Sequence, residues 1–442
     1  VQALDKFFKV SERNSTLGTE FMGGLTTFLT MAYIVVVNPG MLEQAGIPFH
    51  AALTATCLGA AIMTAIMGLV ANRPLAMASG MGLNAIVTFS LVLGVGVDWR
   101  VGMACVLVEG LITLLLVLCG LREAIMDSIP VGIQHAIGIG IGIFVAFIGL
   151  KNGGIIVLSN DSSLITMGAV TTPTAIVAIV SIVFAAIFQA RNVRGGLLWS
   201  ILIATVVGIP LGVTQAPSDW NFGLDFSTFA APFQRTPDGT LAIVQVFAEP
   251  ILLLWVFSMF MSDFFDTMGT VFAVGQKANF ATKDGKVEDI RKILTVDSAS
   301  AAAGGFFGAS SITTYAESVS GAAAGARTGL SDMVVAALFL VCAFLAPLVD
   351  VISEAATAGA LIVVGYLMMT EIASIDWHDM CIAFPAFLTI IGIPLTGSIT
   401  DGIGYGFIAY CLVMVVMGRA REIHPLMWGS SIAFLVAFIL IA

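Results

Sequence analysis

Charge is what this sequence has least of. Only 10% of its 442 residues are Asp, Glu, Lys or Arg, against 58% hydrophobic. A soluble domain carries about 25% charged residues because its surface faces water, so most of this surface must face lipid. Cysteine is sparse as well. Cys57, Cys105, Cys119, Cys342, Cys381 and Cys411 all fall inside or beside apolar runs, and no CxxC spacing occurs, which argues against disulfides and against a zinc site. HExxH and GxSxG are also missing, so the metal or nucleophile–base set of a membrane-embedded enzyme is not visible. A formal charge of −10 gives no support to nucleic-acid binding. A cleavable signal peptide is not expected, since Lys6, Lys9, Glu12 and Arg13 make the first segment polar and the apolar run behind it is too long for a signal core.

What the chain has instead is a succession of apolar runs of roughly 17–25 residues, each enough to cross a hydrocarbon core about 30 Å thick. The expected fold class is an all-α polytopic membrane protein with about fourteen spans. A polar stretch, Gln215–Thr240, separates the two sets and reads as an exterior loop, and the last apolar segment, 425–442, is either interfacial or a further crossing. Basic residues mark the cytoplasmic side. With Lys6, Lys9 and Arg13 inside, Arg73, Arg122, Arg191, Arg194, Lys277, Lys283, Lys286, Arg291, Lys292, Arg327, Arg419 and Arg421 all fall inside too. Only Arg100, Lys151 and Arg235 fall outside. The expected location is a bacterial inner membrane, crossed many times.

The two halves resemble each other where Leu53–Ser79 and Leu294–Glu317 run from small-residue spans into short irregular segments. An odd number of spans per half inverts the second copy, an architecture typical of secondary transporters, which bind substrate near the midplane where broken helices meet. The third span contains Pro74 and the glycines of SGMGLNA. The tenth begins with SSITTY, β-branched and polar, before Glu317. Each reads as a short extended piece followed by a half-helix. Extended backbone at this depth must be buried in protein or line a cavity, and half-helix N-termini would aim N–H groups at that cavity.

All eighteen Lys and Arg residues lie in loops or at span ends, but Asp263 and Asp266 in span eight, Glu317 at the tenth-span break and Glu109 in span four do not. Ionisable groups inside a span mark a function by default. Without a basic partner, such a carboxylate is protonated, bonded to a ligand or neutralised by a bound cation, which are the states a cation-coupled carrier needs. Asp263 and Asp266, at i and i+3, share a helix face. For Glu109 the structural reading is the better one, for Asp297 and Asp350 a structural or gating role, and for His135 a packing role. The glycines of IGIGIGI, Ile137–Ile143, are small enough for a neighbouring helix to slide close by.

The runs MAYIVVVNP, SGMGLNA, DFFDTMGT, TTYAES and GARTGL, in order along the chain, resemble the AzgA-like purine permeases, the adenine–guanine–hypoxanthine branch of the nucleobase–ascorbate transporter superfamily. The resemblance implies the inverted-repeat fold of bacterial uracil permease, with about seven plus seven spans. It places a core domain in residues 1–122 (spans 1–4) and 245–349 (spans 8–11). A gate domain follows in 123–214 (spans 5–7) and 350–442 (spans 12–14 and the C-terminal segment), with 215–244 as the exterior loop. Matched position by position, Asp263 and Glu317 would contact the purine, Asp266 would matter for transport, and Asn84 would take part in purine handling. Ala316 and Gly82, beside the two breaks, complete the expected substrate-binding set. Asp266, Asp263 and Glu317 form the expected proton-coupling set. The chain departs from the family pattern at Ser310–Ser311 and at Ala316, which bears on the preferred purine. An aromatic such as Tyr33, Phe264 or Phe265 could stack on the base.

The expected function is therefore proton-coupled uptake of hypoxanthine, guanine or adenine by an elevator-like movement, without metal or cofactor. Sodium coupling and a homodimer are left open. The alternatives are a cation symporter for xanthine or uracil on the same fold and, less well matched to the acids, an inorganic anion carrier.

Overall fold

A computed structural model of the chain describes residues 2–120, 129–158, 165–217, 220, 222–281 and 287–441. Arg122, Lys283, Lys286 and the 122/123 domain boundary lie outside the described residues. The rest is helical almost throughout, because within lipid a helix pairs its backbone amides inside its own segment. Eight helices are long and apolar enough to cross a membrane by length and composition among the described residues, and five apolar helices of 10–17 residues accompany them.

A short helix α1 (Gln2–Phe8) precedes the first span. The span expected at 18–42 runs as α2 (Leu17–Met31) and α3 (Ile34–Gln44), joined through Ala32–Tyr33, which both keep right-handed helical φ and ψ, so that Leu17–Gln44 makes one crossing. Pro39 inside α3 leaves one more helical carbonyl without its donor. Next, α4 (Phe49–Val70) leads through Pro74 into a three-residue strand β1 (Met77–Ser79) and a half-helix α5 (Met81–Ala85), which widens into a π-helix over Ile86–Val95. The half is completed by α6 (Trp99–Leu118), α7 (Val131–Asn152), a hairpin of β2 (Ile156–Leu158) and β3 (Ile165–Met167), α8 (Pro173–Ala190) and α9 (Gly196–Gly208).

In the stretch expected as an exterior loop, α10 (Ala242–Ala248) begins at the end. The second half then repeats the first in α11 (Pro250–Lys277), α12 (Ile290–Phe307), strand β4 (Ile312–Thr314) and half-helix α13 (Ser318–Ala323). It ends with α14 (Leu330–Cys342), α15 (Ala346–Asp350), α16 (Glu354–Met369), α17 (Met380–Thr396), α18 (Ile399–Val416) and α19 (Pro425–Ile441).

The helices pack in two groups. In one, α4 lies against α12 and α14, α6 against α12, and α2 against α13 and α14; in the other, α7 and α8 lie against α16, α9 against α8, and α17 against α7 and α18. Glycine sets the closest crossing of the first group: a Cβ on Gly110 would strike the backbone of Ala302, and one on Gly305 the backbone of Leu107. In the second group Gly140 meets Ile393 and Gly142 meets Met368 and the Gly365 carbonyl. The close approach that the IGIGIGI glycines permit is thus within that group, to α17 and α16, and it is Ile141 between them that touches the other.

At the centre, β1 and β4 pair antiparallel, Met77 opposite Thr314 and Ser79 opposite Ile312. Gly80 N donates to Ser311 O at 2.9 Å, and Tyr315 N to Ala76 O at 2.9 Å. The Tyr315 hydroxyl adds a 2.7 Å bond to the Ser79 carbonyl. Ser310 turns the chain into β4 with a left-handed φ of 64°, uncommon for a residue with a side chain.

Asp297 fastens this pair to α11. It accepts from the Thr267 hydroxyl at 2.8 Å, the Thr313 hydroxyl at 3.1 Å and the Thr314 N–H at 3.2 Å. On the cytoplasmic side, buried Glu20 accepts from the Arg327 and Thr328 N–H groups, and buried Asp332 from the Leu75 N–H. Arg73 reaches Glu288 at 2.7 Å and Asp289 at 2.8 Å. Partial burial works to raise the Asp289 pKa, but the bonds from Arg73 and Lys292 outweigh it and hold that carboxyl below its usual range. A buried donor left without its acceptor costs about 1–3 kcal/mol. Asp297→Ala should therefore lower the melting temperature of the detergent-solubilised protein, with Asp297→Asn falling between it and wild type. Identical melting curves for all three would remove Asp297 from the fold's supports.

Candidate functional site

The two half-helices begin where the strands end, α5 at Met81 and α13 at Ser318, so both N-termini meet at the β1–β4 pair. Around that point the exposure of α11 changes abruptly. Every residue from Ser258 to Phe264 is buried, while Asp266, Gly269, Ala273, Gln276 and Lys277 are exposed. Their spacing of three and four places them on one face. Beside it, Ala316 and Ala323 are exposed, and Glu317 and Ser320 half-buried. These faces are polar or built of small residues, unlike a lipid-facing surface, and they run toward the ends bearing Lys277 and Arg327, which the basic-residue rule puts in the cytoplasm. They make an exposed strip that runs from those ends toward the two breaks, which we read as a crevice open to the inner side.

Asp266 and Glu317 are the two acids the crevice brings together, close enough, with Asp297, to interact through their charges. No ion pair to either forms among the described residues. Glu317 is held on one side: Oε1 accepts from the Tyr33 hydroxyl at 2.7 Å. Ala316 lies exposed in the crevice wall. Gly82 is half-buried at the tip of α5, where a Cβ would sit 3.0 Å from Ile141 of α7 and 3.8 Å from the Ser262 hydroxyl of α11. That tip is where the two helix groups meet.

The remaining expected residues lie deeper. Asp263 is fully buried, on the enclosed part of α11 just above the crevice, so the i, i+3 acids do not share one environment. Asn84 is also fully buried and donates to Asn38, which in turn donates to Thr56 Oγ1 at 2.8 Å and the Ala309 carbonyl at 3.2 Å. Tyr33 and Phe264 are 2% and 1% exposed and present no ring to the crevice, while the Phe265 side chain lies outside the described residues. Glu109 accepts from the Thr113 hydroxyl at 2.9 Å within its own helix. His135 lies 3.4 Å from Glu371. Asp350 lines a small outer cavity with Glu43, Gln44, Asn152 and Glu354.

What the sequence reading missed is the partner of Glu317. Tyr33 lies in MAYIVVVNP and is one of only five tyrosines; a hydroxyl-bearing ring in an apolar span is the available signal, because such a hydroxyl usually seeks an acceptor.

A multi-span protein with paired broken helices and an acid-lined crevice at their junction has the form of a membrane transporter. The chain matches the Permease family (Xan_ur_permease) over residues 18–405, and it belongs to that family. Among similar proteins, adenine permease AdeP of Escherichia coli is 38% identical over 438 residues, 99% of this chain and 96% of AdeP. Guanine/hypoxanthine permease PbuG of Bacillus subtilis is 38% identical over 444 residues, 98% of this chain and 99% of PbuG. Among solved structures, the transmembrane domain of the cyanobacterial bicarbonate transporter BicA superposes with a TM-score of 0.64 at 18% identity, covering 87% of this chain and 97% of that one. The fold is thus of the seven-plus-seven inverted-repeat type, in a multi-pass inner-membrane protein whose described residues hold eight long and five shorter apolar helices.

Glu317→Gln keeps the shape of the side chain and replaces one acceptor oxygen with a donor. A lost charge-assisted hydrogen bond costs about 1.5–3 kcal/mol, or roughly ten- to a hundred-fold in ligand affinity. Calorimetry on the purified protein checks this, and unchanged affinity for the transported ligand would take Glu317 out of the site.

Proposed function

We propose that this permease takes up purine nucleobases, namely hypoxanthine, guanine or adenine, by proton-coupled secondary transport. The observation that carries the reading is the pair of neighbouring carboxylates, Asp266 exposed and Glu317 half-buried, with no ion pair to either among the described residues. A purine offers N–H donors beside ring acceptors, so its donor edge suits acceptor-rich walls. Relatives named adenine and guanine/hypoxanthine permeases, matching nearly the whole chain, support the same substrate class. An inorganic anion suits the crevice less well, since both acids would repel it when ionised. The shared fold with a bicarbonate transporter does not argue otherwise, because fold does not set substrate. Xanthine or uracil is the alternative within nucleobases.

Competition uptake into reconstituted vesicles, with radiolabelled hypoxanthine against adenine, guanine, xanthine and uracil, should show the first two competitors winning. Displacement by uracil or xanthine alone would overturn the purine assignment.

Protons are proposed as the coupling ion because acids without basic partners can gain and lose a proton as the site changes sides. Asp266→Asn, fixed in a protonated-like form, should retain purine exchange and lose accumulation against a gradient. Concentrative uptake driven by sodium alone at fixed pH would refute proton coupling.

The proposed movement is of one helix group against the other, the core (1–122 and 245–349) past the gate (123–214 and 350–442), with the loop 215–244 outside. It is supported by the different joining at the two faces. On the outer side Gln44 of α3 donates to Glu354 of α16 at 3.0 Å; on the inner side the crevice opens. Cysteines at Gln44 and Glu354, oxidised to a disulfide, should stop transport and release it on reduction. Full transport by the completely crosslinked protein would rule the movement out.

A further inference from the structure

Where α2 passes into α3, Thr30 and Tyr33 of span one address one target on span ten. The Tyr33 hydroxyl donates to Glu317 Oε1 at 2.7 Å. One turn earlier, the Thr30 hydroxyl meets the Ser320 hydroxyl at 2.9 Å, and Ser320 Oγ donates at 2.6 Å to the main-chain carbonyl of Glu317. Glu317 is therefore held at its side chain directly and at its backbone through Ser320, both times from α2 and the turn that ends it.

The Tyr33 ring is 2% exposed and has no face to offer a ligand. Only its hydroxyl is placed to act, and it acts on the acid. A glutamate side chain has three rotatable bonds, and a bond to its charged oxygen is among the stronger hydrogen bonds. Occupying Oε1 restricts the rotation of the carboxylate and leaves Oε2 without a side-chain donor among the described residues.

We infer that Tyr33 is a positioning residue for purine recognition, holding Glu317 so that Oε2 meets the N–H edge of the base. The inference rests on the proposed role of Glu317 in binding a purine.

Tyr33→Phe removes the hydroxyl and keeps the buried ring. Hypoxanthine binding to purified wild type, Tyr33→Phe, Glu317→Gln and the double variant tests the role, alongside melting curves without ligand. Tyr33→Phe should weaken hypoxanthine about ten-fold and displace the pH profile of binding, with little change in melting temperature. In the Glu317→Gln background the same change should add less than about two-fold, because residues acting through one another are not additive. Equal affinity and an unshifted pH profile in Tyr33→Phe, or an equal loss in both backgrounds, would overturn the role. If Glu317→Gln binds too weakly to measure, the pH profile of Tyr33→Phe decides alone. Wild type that binds neither hypoxanthine, guanine nor adenine would instead overturn the proposed function.

Discussion

Two strands of three residues each, Met77–Ser79 and Ile312–Thr314, are extended backbone at the depth of the membrane. Nothing in hydrocarbon can accept or donate a hydrogen bond, and an amide left unpaired there costs several kcal/mol. The strands meet this constraint by pairing with each other, since neither has enough length to form structure alone. Much else follows from that pairing. It fixes where α5 and α13 begin, and it binds the first half of the chain to the second. Asp297 and the Thr267 and Thr313 hydroxyls then set the pair against α11. The main-chain ladder at the breaks is thus paired within the protein, while the buried Ser79 and Thr314 hydroxyls have no partner among the described residues.

The carboxylates inside the spans divide by what surrounds them. Glu20, Asp297 and Asp332 spend their oxygens on backbone N–H groups and threonine hydroxyls, and they hold loops and strands in place. Asp266 is exposed and Glu317 half-buried beside it, and Glu317 accepts from the Tyr33 hydroxyl. The general expectation that an intramembrane acid is functional needs this sorting. An acid saturated by local donors has its electrostatic cost met by the fold, whereas one facing a water-accessible gap is free to exchange a proton or to accept from a ligand.

The same architecture in a bicarbonate transporter's membrane domain places the burden of substrate choice on side chains rather than topology. In this chain small residues line the region, Gly82 and Ala316 at the half-helix tips and Gly269 on α11, near the acids Asp266 and Glu317. Small residues leave room for a flat ligand. Gly82 also brings the tip of α5 against Ile141, so the proposed substrate site and the contact between the two helix groups share a residue. A change in one is felt by the other.

Hydropathy and basic-residue placement, read residue by residue, determined that the chain is a many-span membrane protein, which side its loops face, and where its two broken spans lie. These are local properties, since each span is long enough to declare itself and Pro74 or a run such as SSITTY cannot continue a helix comfortably. Linked motifs determined the family for the same reason. The tertiary structure alone decided that 77–79 pairs with 312–314, that Asp263 is enclosed while Asp266 opens to water, and that Asn84 turns inward to Asn38. It also revealed the hydrogen bond from Tyr33 to a glutamate 284 residues away. Hydropathy cannot foresee such contacts. They depend on how two inverted halves fold onto each other, and on which polar atoms must find partners when water is excluded.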